Sequence, residues 1–177
     1  VLGRQAVRTV EYPKRGMGSV WENGKTLIEQ MGSTVSLNTE VVEIEHHKNR
    51  VENIVVKEGD RTTKLSVDHL ICSLPLPNLV QALNAPEVVI EAANQLRNRH
   101  LITVALIVDS AKLFDEQCIY VHQPNVQVSR IQNFKNWSAD MVPDASTTCL
   151  GLSYFCNAED HIWSMNDREI IHLASAE

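Results

Sequence analysis

The chain has 177 residues, enough for one ordinary domain or two small, closely packed ones. Its 44% hydrophobic and 21% charged residues are those of a globular protein with a real core. A formal net charge of -6, with lysines and arginines scattered, argues against nucleic acid as a partner, and the longest apolar run, Leu101 to Val108, is too short to cross a bilayer.

After Tyr12-Pro13 the stretch "KRGMGS" reads as a glycine-punctuated loop. A helix should follow, because Val20, Gly24, Leu27 and Met31 share one face, with Trp21 and Ile28 beside it. Ser19 is its expected N-cap and Gly32 its stop, and Gly24 inside the pattern suggests close packing.

From Val35 to Leu74 the period changes to two. "TVSLNTEVVEIEHH", "RVENIVVKEG", "TTKLSV" and "HLICSLP" read as four short strands, with turns at Lys48-Asn49 and Gly59-Asp60. Val51, Ile54 and Val56 alternate with one slip. Pro75 and Pro77 end this meander, and a division into residues 1–77 and 78–177 is expected there.

Asn84 is expected to cap a helix running to about Arg99, with Val89, Ala92, Ala93 and Leu96 as its core stripe. "LITVALIV" is apolar throughout, so it should be a central strand covered on both faces. "CIYVH", "VQVSRIQNF" and "TCLGLSYF" predict three further antiparallel strands. "NDREIIHLA" predicts a helix with Asn166 as N-cap and Glu169 completing a capping box.

Cys72, Cys118, Cys149 and Cys156 lack CxxC spacing and lie in apolar segments, which predicts buried, reduced thiols and a cytoplasmic location. The seven histidines show no metal-ligand spacing and read as turn and surface residues. "GMGS" before a helix could offer backbone N–H groups to an anion, though two glycines there more often just shape a turn.

Arg130 is the residue with the clearest chemical demand. In an alternating strand it shares a face with Val128, Gln132 and Phe134, and a guanidinium used in a pocket needs an anion. Tyr120, Asn136 and Trp137 could line such a small-molecule pocket, and a salt bridge from Arg130 to Asp140 is the plainer alternative.

The order of "YPKRGMGSVWE", "LNTEVVEI" and "VDHLICSLP" resembles the middle of the FAD-dependent amine-oxidase and protoporphyrinogen-oxidase-like superfamily. The matching positions are Gly16 and Gly18, Leu37-Asn38, Val41 and Ile44, then Asp68, Ile71 and Pro75. The second half resembles the substrate domain of UDP-galactopyranose mutases. Arg130, Phe134, Asn136, Trp137 and Ser138 repeat an R-x-x-x-F-x-N-Y-S spacing, with tryptophan for tyrosine.

The resemblance implies an α+β fold, in which the meander of an FAD-binding domain (1–77) joins an antiparallel-sheet substrate domain with flanking helices (78–177). It implies FAD near Gly16, Gly18 and the Val41 backbone, and a substrate near Tyr120, Arg130, Asn136 and Trp137. The activity implied is an FAD-dependent oxidoreductase, or a mutase acting on a nucleotide sugar, with a non-enzymatic binding module on the same fold as the alternative. Arg15 replaces the usual second glycine of the loop, and no GxGxxG is present. Because both ends read as cut, an internal fragment is expected, inactive alone and not retaining FAD. Oligomeric state is not legible in these residues.

Overall fold

Alternating residues build sheets only where a partner strand completes the ladder, and the computed structural model, which describes residues 11–177, shows where partners exist. The protein is α+β and forms two compact units: residues 11–32 with Arg99–Glu177, and Ser33–Asn98. The division expected near residue 77 rests on Pro75 and Pro77, whereas packing groups Ser33–Asn98 together.

In Ser33–Asn98, β1 (Glu40–His47), β2 (Arg50–Glu58) and β3 (Arg61–Ser66) form an antiparallel meander in the order β1-β2-β3. Lys48 and Asn49 both take positive φ, +45° and +67°, the signature of the two-residue turn that matches strand twist. Ile44 pairs with Ile54, and Ile54 with Leu65, giving the meander one apolar face. The slip between Val51 and Ile54 is a bulge: Glu45 pairs with Asn53 and His46 with Val51, which leaves Glu52 as the extra residue. On the other face the Glu45 carboxylate takes the Asn53 amide at 2.8 Å and pairs with Lys64.

Three expectations fail in this unit. His69–Pro75 forms no fourth strand: among the described residues it has no neighbouring strand, and Ile71 is fully exposed. Asn84 does not start a helix; it follows α2 (Leu76–Ala82) in the left-handed region at φ +49°, a conformation asparagine tolerates. Pro86, lacking an N–H, then starts α3 (Glu87–Asn94). Of the predicted stripe only Ala93 is buried; Val89, Ala92 and Leu96 are exposed.

The larger unit holds a four-stranded antiparallel sheet ordered β4-β7-β6-β5, from β4 (His100–Val108), β5 (Cys118–Tyr120), β6 (Arg130–Asn133) and β7 (Thr148–Cys156). All three later segments hold strands antiparallel to their neighbours, with β5 and β6 shorter than predicted. The wholly apolar β4 is an edge strand, however, not a central one, and Ile107 is 78% exposed. An unbroken apolar run reveals no face, so its position in the sheet could not be read from it.

One sheet face carries the core. Val104, Leu152, Tyr154 and Cys156 pack with Val128 and with Ile162, Ile170 and Ala174 from α5 (His161–Ser164) and α6 (Asp167–Ala176). The predicted capping box of α6 is present: Glu169 N–H donates to Asn166 Oδ1 at 3.1 Å, and Asn166 N–H to Glu169 Oε2 at 3.0 Å.

The N-terminal helix is α1 (Gly18–Gln30), capped at Met17 rather than Ser19. The Ser19 hydroxyl instead donates back to the Gly16 carbonyl at 2.7 Å, reinforcing the turn before the helix. Gly24 has open space beside it rather than close packing, and the apolar stripe of α1 is exposed. Gly32 ends the helix region at φ +84°, as expected. All four cysteines are free; Cys156 is buried, Cys118 and Cys149 half-buried, and Cys72, predicted inside a strand, is exposed on the unpaired segment.

Candidate anion-binding face and its loop

Pairing in β5, β6 and β7 sets which side chains meet. Arg130 stands opposite Tyr120 on one side and Ser153 on the other, and directly paired residues project from the same face. This is the sheet face opposite the α6-covered core. Arg130 Nη2 donates to the Ser153 hydroxyl at 3.3 Å, and Ser153 itself is fully buried. Arg130 Nε is buried and has no hydrogen-bond partner among the described residues. The ion pairs among the described residues are Lys25–Glu29, Lys64–Glu45 and Lys112–Asp115, so Arg130 meets no carboxylate and the Asp140 alternative does not hold.

The strand is shorter than its pattern suggests. Val128 belongs to the core on the other face, and Phe134 already starts α4 (Phe134–Trp137), so only Gln132 shares the Arg130 face within β6. The chain turns there because the buried Asn133 caps α4, its side chain accepting from Asn136 N–H at 3.3 Å. The Phe134 ring then lies on Gly151: a Cβ at that position would stand 2.7 Å from the ring's Cζ.

Two side chains of α4 hold the surrounding loops. The Asn136 amide donates to the carbonyls of Phe114 at 2.7 Å and Glu116 at 3.0 Å, so its donors are already engaged. Lys135 Nζ donates to three carbonyls, those of Ala111, Ala145 and Thr147, at 2.9, 2.6 and 2.8 Å. Neither Lys135 nor Ser153 was picked out from the sequence. Only strand register and loop closure give them partners, and no spacing signal announces either.

Trp137 and the glycine loop meet directly. The Tyr12 and Trp137 rings lie 5.0 Å apart, tilted by 37°, and Trp137 Nε1 is buried without a partner among the described residues. Ser138 donates its hydroxyl to the Lys14 carbonyl at 2.7 Å. Gly16, at φ +79°, closes a turn by donating its N–H to the Pro13 carbonyl at 2.9 Å, and Met141 Cε would stand 3.2 Å from any Cβ there. Gly18 is exposed, with open space beside it. The structure thus brings Gly16, Trp137, Arg130 and Tyr120 into one unit, with Tyr120 66% exposed. Val41 lies in β1 of the other unit, half-buried opposite Val56.

Elsewhere the described residues show no cluster of three or more metal-ligating side chains. A shallow apolar groove lined by His46, Asn49, Val51, Leu83, Ala85 and Pro86 contains none of the predicted site residues.

A model of flavin-containing amine oxidoreductases matches residues 3–174, nearly the whole chain. The chain belongs to that family. No curated protein matches it. Among solved structures, a protein assigned as a protoporphyrinogen oxidase from Exiguobacterium sp. 255-15 is 18% identical, with a TM-score of 0.65 over 90% of this chain and 34% of its own. A reduced UDP-galactopyranose mutase is also 18% identical, with a TM-score of 0.68 over 81% of this chain and 31% of its own. An oxidoreductase from Methanosarcina mazei is 14% identical, with a TM-score of 0.64 over 93% of this chain and 37% of its own. The chain therefore spans about a third of each of these family-like structures, and at such identities the likeness is one of fold.

How well the flavin suits these residues can be judged from the loop. Around Gly18 the backbone is bare enough for a planar ring to approach closely, and a helix N-terminus follows. The N–H groups of Gly16, Ser19 and Val20 are taken by the Pro13, Gly16 and Met17 carbonyls, which leaves those of Met17 and Gly18 without a partner among the described residues. The described residues suit one wall of a flavin site.

Proposed function

We propose that this chain supplies part of the flavin and substrate pocket of an FAD-dependent oxidoreductase. Residues 1–77 would contribute to the FAD-binding domain and residues 78–177 to the substrate domain. Bound flavin would supply the electron-transfer chemistry. The Gly16–Gly18 loop would stand beside it, and the Val41 backbone would face its adenine. The loop bonds made by Asn136 would keep α4 in place, and Trp137 Nε1 would remain free for an acceptor.

The observation that carries the substrate side is the Arg130 guanidinium, with Nε buried and unpartnered and no carboxylate beside it. Arg130 is half-buried, and a guanidinium nitrogen shut off from water without a partner is costly; a substrate phosphate or carboxylate would complete it. Tyr120, exposed on the same face, would border that anion.

A nucleotide-sugar diphosphate is the second reading. The Arg130–Ser138 spacing favours it, and so does the fold shared with a UDP-galactopyranose mutase. We also propose a reducing cytoplasm as its compartment, where four free thiols would persist.

The first test is the colour of the intact protein, which should absorb near ~450 nm when loaded with FAD. A colourless protein that FAD cannot reconstitute would refute the flavin reading and favour a binding module. Titration with UDP-sugars and with simple carboxylates then separates the two substrate classes. Arg130→Ala should weaken binding of the correct anion by about 10- to 100-fold, the loss of a charge-assisted hydrogen bond. Binding unchanged by that substitution would remove Arg130 from the site.

A further inference from the structure

The contacts around Trp137 point to a role for this residue and Ser138 that substrate binding does not include. We infer that they are positioning residues, which hold the Tyr12–Gly18 loop in register with the strand that carries Arg130. The inference rests on the proposal that this loop faces the flavin, and it extends that proposal from contact to mechanical linkage.

Three independent attachments join the two segments. The Trp137 ring packs on Tyr12, the Ser138 hydroxyl holds the Lys14 carbonyl, and Met141 closes over Gly16. All three come from one short run, Trp137 to Met141, which begins at the C-terminus of α4 and continues through the 3-10 turn Ala139–Met141. α4 is itself fixed to β6 by the Asn133 cap, and Arg130 lies at the start of β6. A displacement at Arg130 therefore passes along one short, hydrogen-bonded run to the loop, without crossing the core.

Among the described residues the loop has few other supports. Its own bonds, Gly16 N–H to Pro13 and Ser19 hydroxyl to Gly16, are internal and shape the turn. Gly16 also explains why the fit is specific. Its left-handed φ and the 3.2 Å approach of Met141 leave no room for a side chain without movement of one or the other. Anion occupancy at Arg130 and the placement of the loop would thus be coupled through Trp137 and Ser138.

Hydrogen–deuterium exchange on this 177-residue chain tests the linkage without any flavin. In Trp137→Ala and Ser138→Ala, amides of the peptide containing Gly16, Ser19 and Val20 should exchange about fivefold faster, as expected when one hydrogen bond or ring contact is lost. Exchange in α6 should not change, and Trp137→Phe, which keeps a ring on Tyr12, should restore slow exchange in the loop. Loop exchange that stays at the parental rate would overturn the inference. So would an equal rise across β7 and α6, which would mean general loosening only. In the intact flavoprotein Trp137→Ala should also shift the flavin absorption band and Trp137→Phe should not. Loop exchange that responds while the flavin band stays fixed would keep the linkage and reject the placement of flavin at this loop.

Discussion

Gly151 shows how a single residue shapes the candidate site. It has no strained φ; what it provides is absence of volume beneath the Phe134 ring, which lets α4 turn tightly after Asn133. Gly151→Ala should cost about 1–3 kcal/mol through overpacking, seen as a lower urea midpoint at unchanged slope. An unchanged midpoint would mean that Phe134 moves aside freely. Lys135 acts differently, since one ammonium satisfies three carbonyls from two loops. Lys135→Met keeps the stem and removes the donor, and should cost about 1–2 kcal/mol, much of it recoverable by water at the exposed carbonyls. Arg130 is the counterexample: it is held by one long bond to Ser153, so its removal should affect ligand binding far more than stability.

At the scale of elements, helices and strands differ in how much they owe to local sequence. The α6 capping box is a local device, and Asn166→Ala should lower stability by about 1 kcal/mol in a denaturant titration. A null result would show that packing of Ile170 and Ala174 alone holds the helix. α1 is the opposite case. Its apolar stripe is exposed, so the periodicity that correctly predicted a helix says nothing of what the helix covers. β4 behaves similarly, with Leu101 and Ile107 exposed on the face opposite the core and one edge unpaired among the described residues.

Across the whole molecule, burial of ionisable groups predicts how stability responds to pH. Burial pushes the Tyr154 phenol well above its ordinary value, with the nearby Glu177 carboxylate adding to it, and burial raises the Cys156 thiol, with Asp160 adding and Arg99 opposing. Both groups are therefore neutral in the folded protein where the unfolded chain would ionise. Their contribution is fully present below the ordinary thiol value of about 8.5 and phenol value of about 10, and is lost as pH rises beyond them. Urea titrations at pH 8 and pH ~10.5 should show falling stability, and Tyr154→Phe should flatten that fall. A slope that Tyr154→Phe leaves unaltered would contradict this. At neutral pH, Cys72 should react first with a small disulfide reagent and Cys156 only on unfolding; equal rates would show that Cys156 is not shielded.

Local chemistry made much of this protein legible. The hairpin at Lys48-Asn49 and the capping box of α6 follow from neighbours a few residues apart, and local pattern marked β5, β6 and β7 as strands. The ordered motifs from Gly16 to Pro75 indicated the flavoprotein family that the match over residues 3–174 shows. The sequence by itself also singled out Arg130 as a cation in need of an anion. Tertiary structure alone decided that Asp140 is not that anion, that Ser153 and Tyr120 flank the guanidinium, and that Trp137 and Ser138 hold the loop at Gly16. It also decided that "LITVALIV" is an edge strand and His69–Pro75 no strand at all. The reason is common to these cases: a turn or a cap is settled by adjacent residues, whereas a ladder partner or counter-charge comes from far along the chain, and periodicity carries no record of it.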